Sequence, residues 1–267
     1  ASDKIFKILD LPVSSDGQYD LDTSFDIRLE HVSFQYDDKR PILKDVSLHI
    51  QPHQFIGIVG ESGSGKSTIA KLMMGYHRCL EGHLYMGERS DIRDESFMEH
   101  VMYVTHDPMI LKGTVRENLN MFSQYRDEQL WDVLKQVRLD GFFHEQMGLD
   151  TPLLENGSNL SGGQKQRLNL ARALLKNVDV YIFDEATSNI DVESENHILN
   201  VIKTLTQTKT VIFITHRLQS VVHCDEIYVM QQGALVEQGT HQKLMHQEGI
   251  YHHMYQSQQE LEVYSHE

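Results

Sequence analysis

Nine consecutive residues, Gly60, Glu61, Ser62, Gly63, Ser64, Gly65, Lys66, Ser67 and Thr68, carry the spacing G-x-x-x-x-G-K-[ST] of a loop that wraps phosphate. Glycines let the backbone fold back so that successive N–H groups point at phosphate oxygens, and a helix starting at the end of the loop adds its positive N-terminal end. In such a loop the Lys66 ammonium reaches the β and γ phosphates, and the Ser67 hydroxyl is offered to Mg²⁺. Farther along, Asp184 and Glu185 close the apolar run "VDVYIFDE". Paired carboxylates at a strand end can divide the labour, Asp184 holding Mg²⁺ through water and Glu185 polarising an attacking water as general base. His216 ends a third apolar run, "TVIFITH". A neutral imidazole there can hydrogen-bond a terminal phosphate and the attacking water together.

Two further segments bear on the chemistry. Leu160, Ser161, Gly162, Gly163 and Gln164 precede an amphipathic run that sets Leu168, Ala171, Leu174 and Leu175 on one helical face. Their small residues make a second anion-binding helix N-terminus. One nucleotide hardly needs two such cradles from one chain, so the second makes sense if it closes over a nucleotide held by another subunit. The other segment is "HVMYVTHDP", where an apolar run stops at His106. A catalytic base, a metal ligand and a loop residue whose work lies elsewhere are all compatible with that position. Mg²⁺ prefers oxygen ligands and gives up water reluctantly, which disfavours direct ligation by imidazole; Mn²⁺ tolerates it better.

These residues need elements to position them. "DIRLEHVSFQY" and "ILKDVSLHI" alternate apolar and polar residues, as strands with one buried face do, whereas "FIGIVG" is a continuous apolar run suited to a strand covered on both faces. It leads into "ESGSGKSTIAKLMMGY", whose apolar period is helical. The run from Val178 to Phe183 reads as a second buried strand. Strand-like and helix-like segments alternate from Phe25 to about Ile250, which predicts an α/β layer fold. Residues 1–24, with "SSDGQYDLD", read as a linker or leader, and "HQEGIYHHMYQSQQELEVYSHE" reads as a polar helix that frays.

The whole chain bounds the function. With 267 residues and 40% hydrophobic content it can bury a substantial core. No run approaches the roughly 18 apolar residues of a membrane span, and the first residues lack the apolar core of a signal peptide. A net charge of −15, from 39 acidic against 24 basic residues, argues against a general nucleic-acid surface. Cys79 and Cys224 make no disulfide framework, so a cytosolic-side environment is expected. The 16 histidines are scattered, and pairs such as His252 and His253 lack the flanking ligands of a metal array.

In this order the segments resemble the nucleotide-binding domain of an ATP-binding cassette (ABC) transporter. The resemblance rests on the phosphate loop at 60–68, the signature LSGGQ at 160–164, "YIFDEATS" at 181–188, the D-loop "SNID" at 188–191 and "THR" at 215–217. It implies an α/β P-loop NTPase of the ABC ATPase fold: a RecA-like core, an antiparallel β-subdomain and an α-helical signature subdomain. It further implies a domain over 25–250 with a helical subdomain at about 108–170, followed by a C-terminal helix or tail at 251–267. ATP and Mg²⁺ would be the cofactors. Tyr36 matches the aromatic that stacks on adenine, and Asp191 matches the D-loop aspartate that communicates across a dimer. Two such domains would sandwich two ATP molecules head to tail, with Ser161 and Gly163 of one facing the γ-phosphate bound by the other.

"GTVRENL" and "DTPLLENGSNLSGGQ", with Glu155, resemble the exporter branch, in which the domain follows membrane-spanning helices and sits on the cytoplasmic face. On that resemblance the partners are a second nucleotide-binding domain, identical or not, and a transmembrane domain absent from this chain, with residues 1–24 as the link to it. Chromosome-maintenance ATPases share the signature, but long coiled coils separate their halves, and no heptads intervene here. A ribosome-associated cassette protein would carry two cassettes and basic patches. An ATP-gated clamp that hydrolyses slowly is the remaining alternative. Lys66, Asp184, Glu185 and His216 argue against it, whereas His106 argues for it, because the family normally has glutamine at that position. The expected role for His106 is a neutral, water-mediated contact within the ATP site.

Overall fold

The computed structural model describes residues 26–36, 40–87, 89, 90, 99–188 and 190–265. The linker expected over residues 1–24, Asn189 of the D-loop and the last two residues of the tail lie outside the described residues. The chain lays down β1 (Ile27–Phe34), β2 (Leu43–Ile50), β3 (Phe55–Gly60), α1 (Lys66–Met73), β4 (Glu81–Met86), β5 (Arg89–Ser90) and β6 (Val101–Thr105). Then come β7 (Gly113–Thr114), α2 (Val115–Leu119), α3 (Asp127–Gln136), α4 (Asp140–His144), β8 (Pro152–Leu153) and α5 (Gly162–Lys176). The last elements are β9 (Val180–Asp184), α6 (Val192–Leu205), β10 (Thr210–Ile214), β11 (Glu226–Gln231), β12 (Ala234–Gly239), α7 (His241–His246) and α8 (Ile250–Ser265).

The strands form two large sheets for the reason their patterns give. Alternating residues in β1 and β2 leave one face polar, and these strands pair antiparallel in a sheet of order β2-β1-β4-β5. The continuous apolar strands instead form a sheet of order β12-β11-β3-β10-β9-β6, parallel except for β12. Because side chains alternate across a strand, each central strand feeds two cores. Val211 and Phe213 of β10 join the core beneath the helical layer, while Ile212 and Ile214 join the core with α1 and the antiparallel sheet.

The helical layer lies between β6 and β9 in sequence. Leu119 of α2, Leu130 and Leu134 of α3, Phe143 of α4 and Leu168 and Leu170 of α5 share one core with Val59 and Phe183 of the sheet. Its polar pin is Arg172, 2% exposed, which donates to the carbonyl of Asn118 at 2.7 Å, to the carbonyl of Met109 and to the Asn118 side-chain oxygen. Asn118 in turn donates to the carbonyls of Leu111 and Thr114. Burial lowers the Arg172 guanidinium to about 10. A buried guanidinium surrounded by carbonyls thus fixes the segment after β6 against the helix that follows the signature.

Element boundaries differ from expectation where side chains intervene. The buried strand begins at Val180 rather than Val178, whose N–H is taken by the Tyr181 hydroxyl at 3.2 Å. Helix α5 begins at Gly162, ahead of Gln164, because Ser161 caps it. The C-terminal segment runs as a helix to Ser265. Its start is pinned by the Glu237 carboxylate, which accepts from the N–H groups of Ile250 at 2.6 Å and Tyr251 at 3.0 Å, and Tyr251 is fully buried.

Candidate active site

Parallel pairing decides where the chemistry gathers. In register, Ile214 of β10 lies beside Asp184 of β9, Thr105 of β6 lies on the other side of Asp184, and Ile58 of β3 lies beside Ile214. The residues that follow these strands therefore emerge at one carboxyl edge, where open α/β sheets place their ligands. That edge carries the loop from Gly60, the pair Asp184 and Glu185, His216, and His106.

The loop from Gly60 to Gly65 has a conformation only its glycines allow. Gly60 has φ +149°, and a Cβ there would lie 2.1 Å from the Met230 carbonyl oxygen; Gly65, at φ +104°, would meet Leu43 at 2.7 Å. Gly65 is also the N-cap of α1 and offers no capping side chain. The first amides of a helix lack intrahelical acceptors; Thr68 N–H turns back to the Gly65 carbonyl at 3.1 Å, which leaves those of Lys66 and Ser67 to an outside acceptor. Ser64 Oγ is buried without a hydrogen-bond partner among the described residues. An uncapped helix N-terminus and an unpartnered buried hydroxyl in the same loop fit a phosphate group.

Lys66 is 6% exposed and donates to the carbonyls of Gly60 and Glu61, both at 2.8 Å. Burial lowers its pKa from the ordinary lysine value, while the carboxylates of Glu185 and Asp184 raise it again. Ser67 Oγ donates to Asp184 Oδ1 at 3.1 Å, and Tyr103 donates to Asp184 Oδ2 at 2.7 Å. Burial, with the Asp184 charge beside it, pushes the Tyr103 phenol far above its usual range, so it remains a donor at all ordinary pH. A hydroxyl and a carboxylate in contact form the hard oxygen donor set that suits Mg²⁺.

Glu185 stands at φ +51°, a left-handed conformation that costs a non-glycine residue of order 1 kcal/mol or more. Its N–H is held by the Ile214 carbonyl at 2.9 Å, and its carboxylate Oε1 accepts from His216 Nδ1 at 3.3 Å. The turn therefore aims the second carboxylate away from the strand and toward the histidine of the next one. Two residues on, Thr187 Oγ1 donates at 2.7 Å to the buried Glu195, which also accepts from the Arg217 guanidinium; Arg217 in turn donates to the Ser188 carbonyl at 3.3 Å. This pair ties the segment after Glu185 to the segment after His216.

Tyr36 is 49% exposed, with its ring edge-on to Phe34 at 4.9 Å and His77 at 5.1 Å and its hydroxyl 3.4 Å from Thr68 Oγ1. The ring thus stays half-exposed beside the phosphate loop. His106 has an exposed side chain, and its carbonyl accepts from Gln166 Nε2 at 3.2 Å; Gln166 also reaches Ser188 Oγ at 3.3 Å. Through Gln166 the helix after the signature touches both the 106 loop and the segment after Glu185.

Among the described residues, no hydrogen bond or ion pair joins Leu160–Gln164 to the loop at 60–68. Ser161 and Gln164 form a capping box on α5: the Ser161 hydroxyl accepts from Gln164 N–H at 3.2 Å, and Gln164 Oε1 accepts from Ser161 N–H at 2.8 Å. Accepting leaves the Ser161 O–H as a donor to something outside. Asp191 caps α6, accepting from Ser194 N–H at 2.9 Å, a bond that holds its carboxyl below the usual range. Sequence reasoning passed over Tyr103, Gln166, Glu195 and Arg217. For Gln166 a signal existed, since it stands four and seven residues before Leu170 and Ala173, which are buried on the same side of α5.

Comparison with known proteins agrees with this geometry. Residues 43–188 match the family described as "ABC transporter". The chain belongs to the ABC transporter family. It is 45% identical over 98% of its length to an uncharacterized ABC transporter ATP-binding protein of Haemophilus influenzae, of which it spans 48%. It is 43% identical over 85% of its length to the lactococcin-G-processing and transport ATP-binding protein of Lactococcus lactis, spanning 33% of that protein. A bacterial Atm1-family ABC exporter with ATP bound superposes with a TM-score of 0.88 at 29% identity, covering 96% of this chain and 46% of the exporter. The chain thus spans half or less of the length of these relatives. Among its described residues, no helix is long and apolar enough to cross a membrane.

Proposed function

We propose that this chain is the ATP-hydrolysing motor domain of a membrane exporter, acting at the cytoplasmic face as one half of an ATP-sandwich dimer. The observation that carries the reading is the convergence of Lys66, Ser67, Asp184, Glu185 and His216 on one sheet edge, with Ser67 bonded to Asp184 and His216 to Glu185. The phosphate loop and Lys66 bind the phosphates of ATP, and the half-exposed Tyr36 offers its ring to adenine. Ser67 and Asp184 would hold Mg²⁺, which when bound neutralises charge on the phosphate oxygens. Glu185 takes a proton from water as its oxygen attacks the γ-phosphorus; the bond to the β-phosphate oxygen breaks, leaving ADP and phosphate. His216 orients that water and the γ-phosphate.

The domain reading keeps 25–250 as the nucleotide-binding unit, with a helical subdomain at about 108–170 and the C-terminal segment from 251 packed on it as α8. A Ser161 hydroxyl left to donate outside its capping box supports a second nucleotide-binding domain as partner, with Ser161 and Gly163 serving its γ-phosphate. A transmembrane domain is the other partner. Likeness to a bacteriocin-processing transporter favours a peptide or protein cargo.

Replacing the general base tests the assignment. Glu185→Gln should bind ATP, lose turnover by about a hundredfold or more, and run as an ATP-dependent dimer in size exclusion. Turnover at the parental rate removes Glu185 from this role. A parental protein that dimerises with ATP yet scarcely hydrolyses it would mark the clamp instead, a reading that His106 favours.

A further inference from the structure

The turn that carries His216 is held from the C-terminal helix. Gln258 of α8 places its carboxamide across this turn: Nε2 donates to the His216 carbonyl, and Oε1 accepts from Leu218 N–H at 2.9 Å. One amide thus satisfies an acceptor and a donor two residues apart, as a neighbouring strand would. The rest of the turn is tied within the nucleotide-binding core. Arg217 N–H donates to Thr215 Oγ1 at 2.9 Å, and the Arg217 guanidinium pairs with the buried Glu195. Gln258 is the tie that comes from the C-terminal helix.

That element is anchored independently. Tyr251 is buried, its hydroxyl lies 2.8 Å from His241 Nδ1, and Tyr255 stacks on it at 6.1 Å. Positions 251, 255 and 258 share one helical face, so the contacts that seat α8 also set the register of Gln258 against the His216 turn. The imidazole itself is more than half exposed, and among the described residues its one side-chain bond is the 3.3 Å contact to Glu185. Backbone restraint is therefore what fixes the direction of the ring.

Resting on the hydrolytic reading above, we propose that Gln258 is a positioning residue for His216, and that the docked α8 thereby sets the turnover step while leaving nucleotide binding alone. Gln258 bonds to the turn backbone, and among the described residues no bond joins it to the loop at 60–68. Misplacing the imidazole should lower kcat without touching the phosphate loop.

Two variants of the full 267-residue chain test this. Gln258→Ala removes both bonds; Gln258→Glu keeps the acceptor for Leu218 N–H and sets an oxygen against the His216 carbonyl. Each should reduce kcat on the order of tenfold, with the KM for ATP and the melting temperature close to parental. The ring resonance of His216 in ¹H–¹³C spectra should shift in both, a readout that does not need turnover. If Gln258→Ala fails to fold, Gln258→Glu carries the test. Parental kcat and an unmoved His216 resonance, or a KM that rises as kcat falls, overturn the proposal. Glu185→Gln separates the two readings: if it is inactive while the Gln258 variants are parental, only the positioning role fails.

Discussion

Tyr103 donates its hydroxyl to Asp184 Oδ2 at 2.7 Å, on the carboxylate oxygen opposite the one that takes the Ser67 hydroxyl. The proposed metal carboxylate, 4% exposed, is thereby oriented from both sides. Outer-shell partners of this kind commonly shift metal affinity or activity by one to two orders of magnitude.

Tyr103→Phe should therefore keep the fold and the affinity for metal-free ATP, while raising the Mg²⁺ concentration needed for half-maximal ATPase by about tenfold. The measurement is a Mg²⁺ titration of ATPase at fixed ATP. Superimposable titrations of the two proteins would reduce Tyr103 to a packing residue.

Much of this site was legible in the sequence because each segment carries its own local rule. The phosphate loop is contiguous, and its glycines sit where the backbone needs them, at Gly60 and Gly65. The strand runs end on Asp184, Thr105 and Ile214, and a parallel sheet brings such ends together. Tyr103, Glu195, Arg217 and Gln258 were hidden for the opposite reason. Each acts through a partner far away in the chain, and none departs locally from what an ordinary strand or helix would hold. Tyr103 reads as one more apolar residue in "VMYVT", and Gln258 as one polar residue in a polar helix. Only the sheet order, with β6 next to β9, brings the phenol to the carboxylate.

Asp191 offers a case where a structural role and a functional one can be separated. Its carboxylate caps α6 through Ser194 N–H, and an N-cap to alanine change costs about 1 kcal/mol. Asp191→Ala should lower the denaturation midpoint at neutral pH, whereas Asp191→Asn, which still accepts, should not. Because the bond holds the carboxyl below its usual range, its contribution is present above the ordinary carboxylate range and fades as pH falls through the lowered value. The stability gap between parent and Asp191→Ala should close in acid. Should Asp191→Asn keep its stability and lose ATP-dependent dimerisation, the residue also acts across the dimer.

His106 stands where the resemblance leads one to expect glutamine, and the structure narrows what such a substitution can do. Its carbonyl is engaged by Gln166, so the loop backbone is fixed to α5 whatever the side chain is. Thr105 pairs in register with Asp184, which puts the next residue beside the proposed metal site. Glutamine would offer an amide oxygen beside the proposed metal site, whereas imidazole offers a nitrogen, and Mg²⁺ prefers oxygen ligands. On the reading that His106 works as a water-mediated contact, His106→Gln should lower the Mg²⁺ concentration needed for half-maximal ATPase, and Mn²⁺ should narrow the difference between the two proteins. ATP affinity in the absence of Mg²⁺ should stay the same in both, because the phosphate loop is untouched. Identical metal titrations of the two proteins would sink this role, leaving the 106 loop to act through its backbone bond to Gln166.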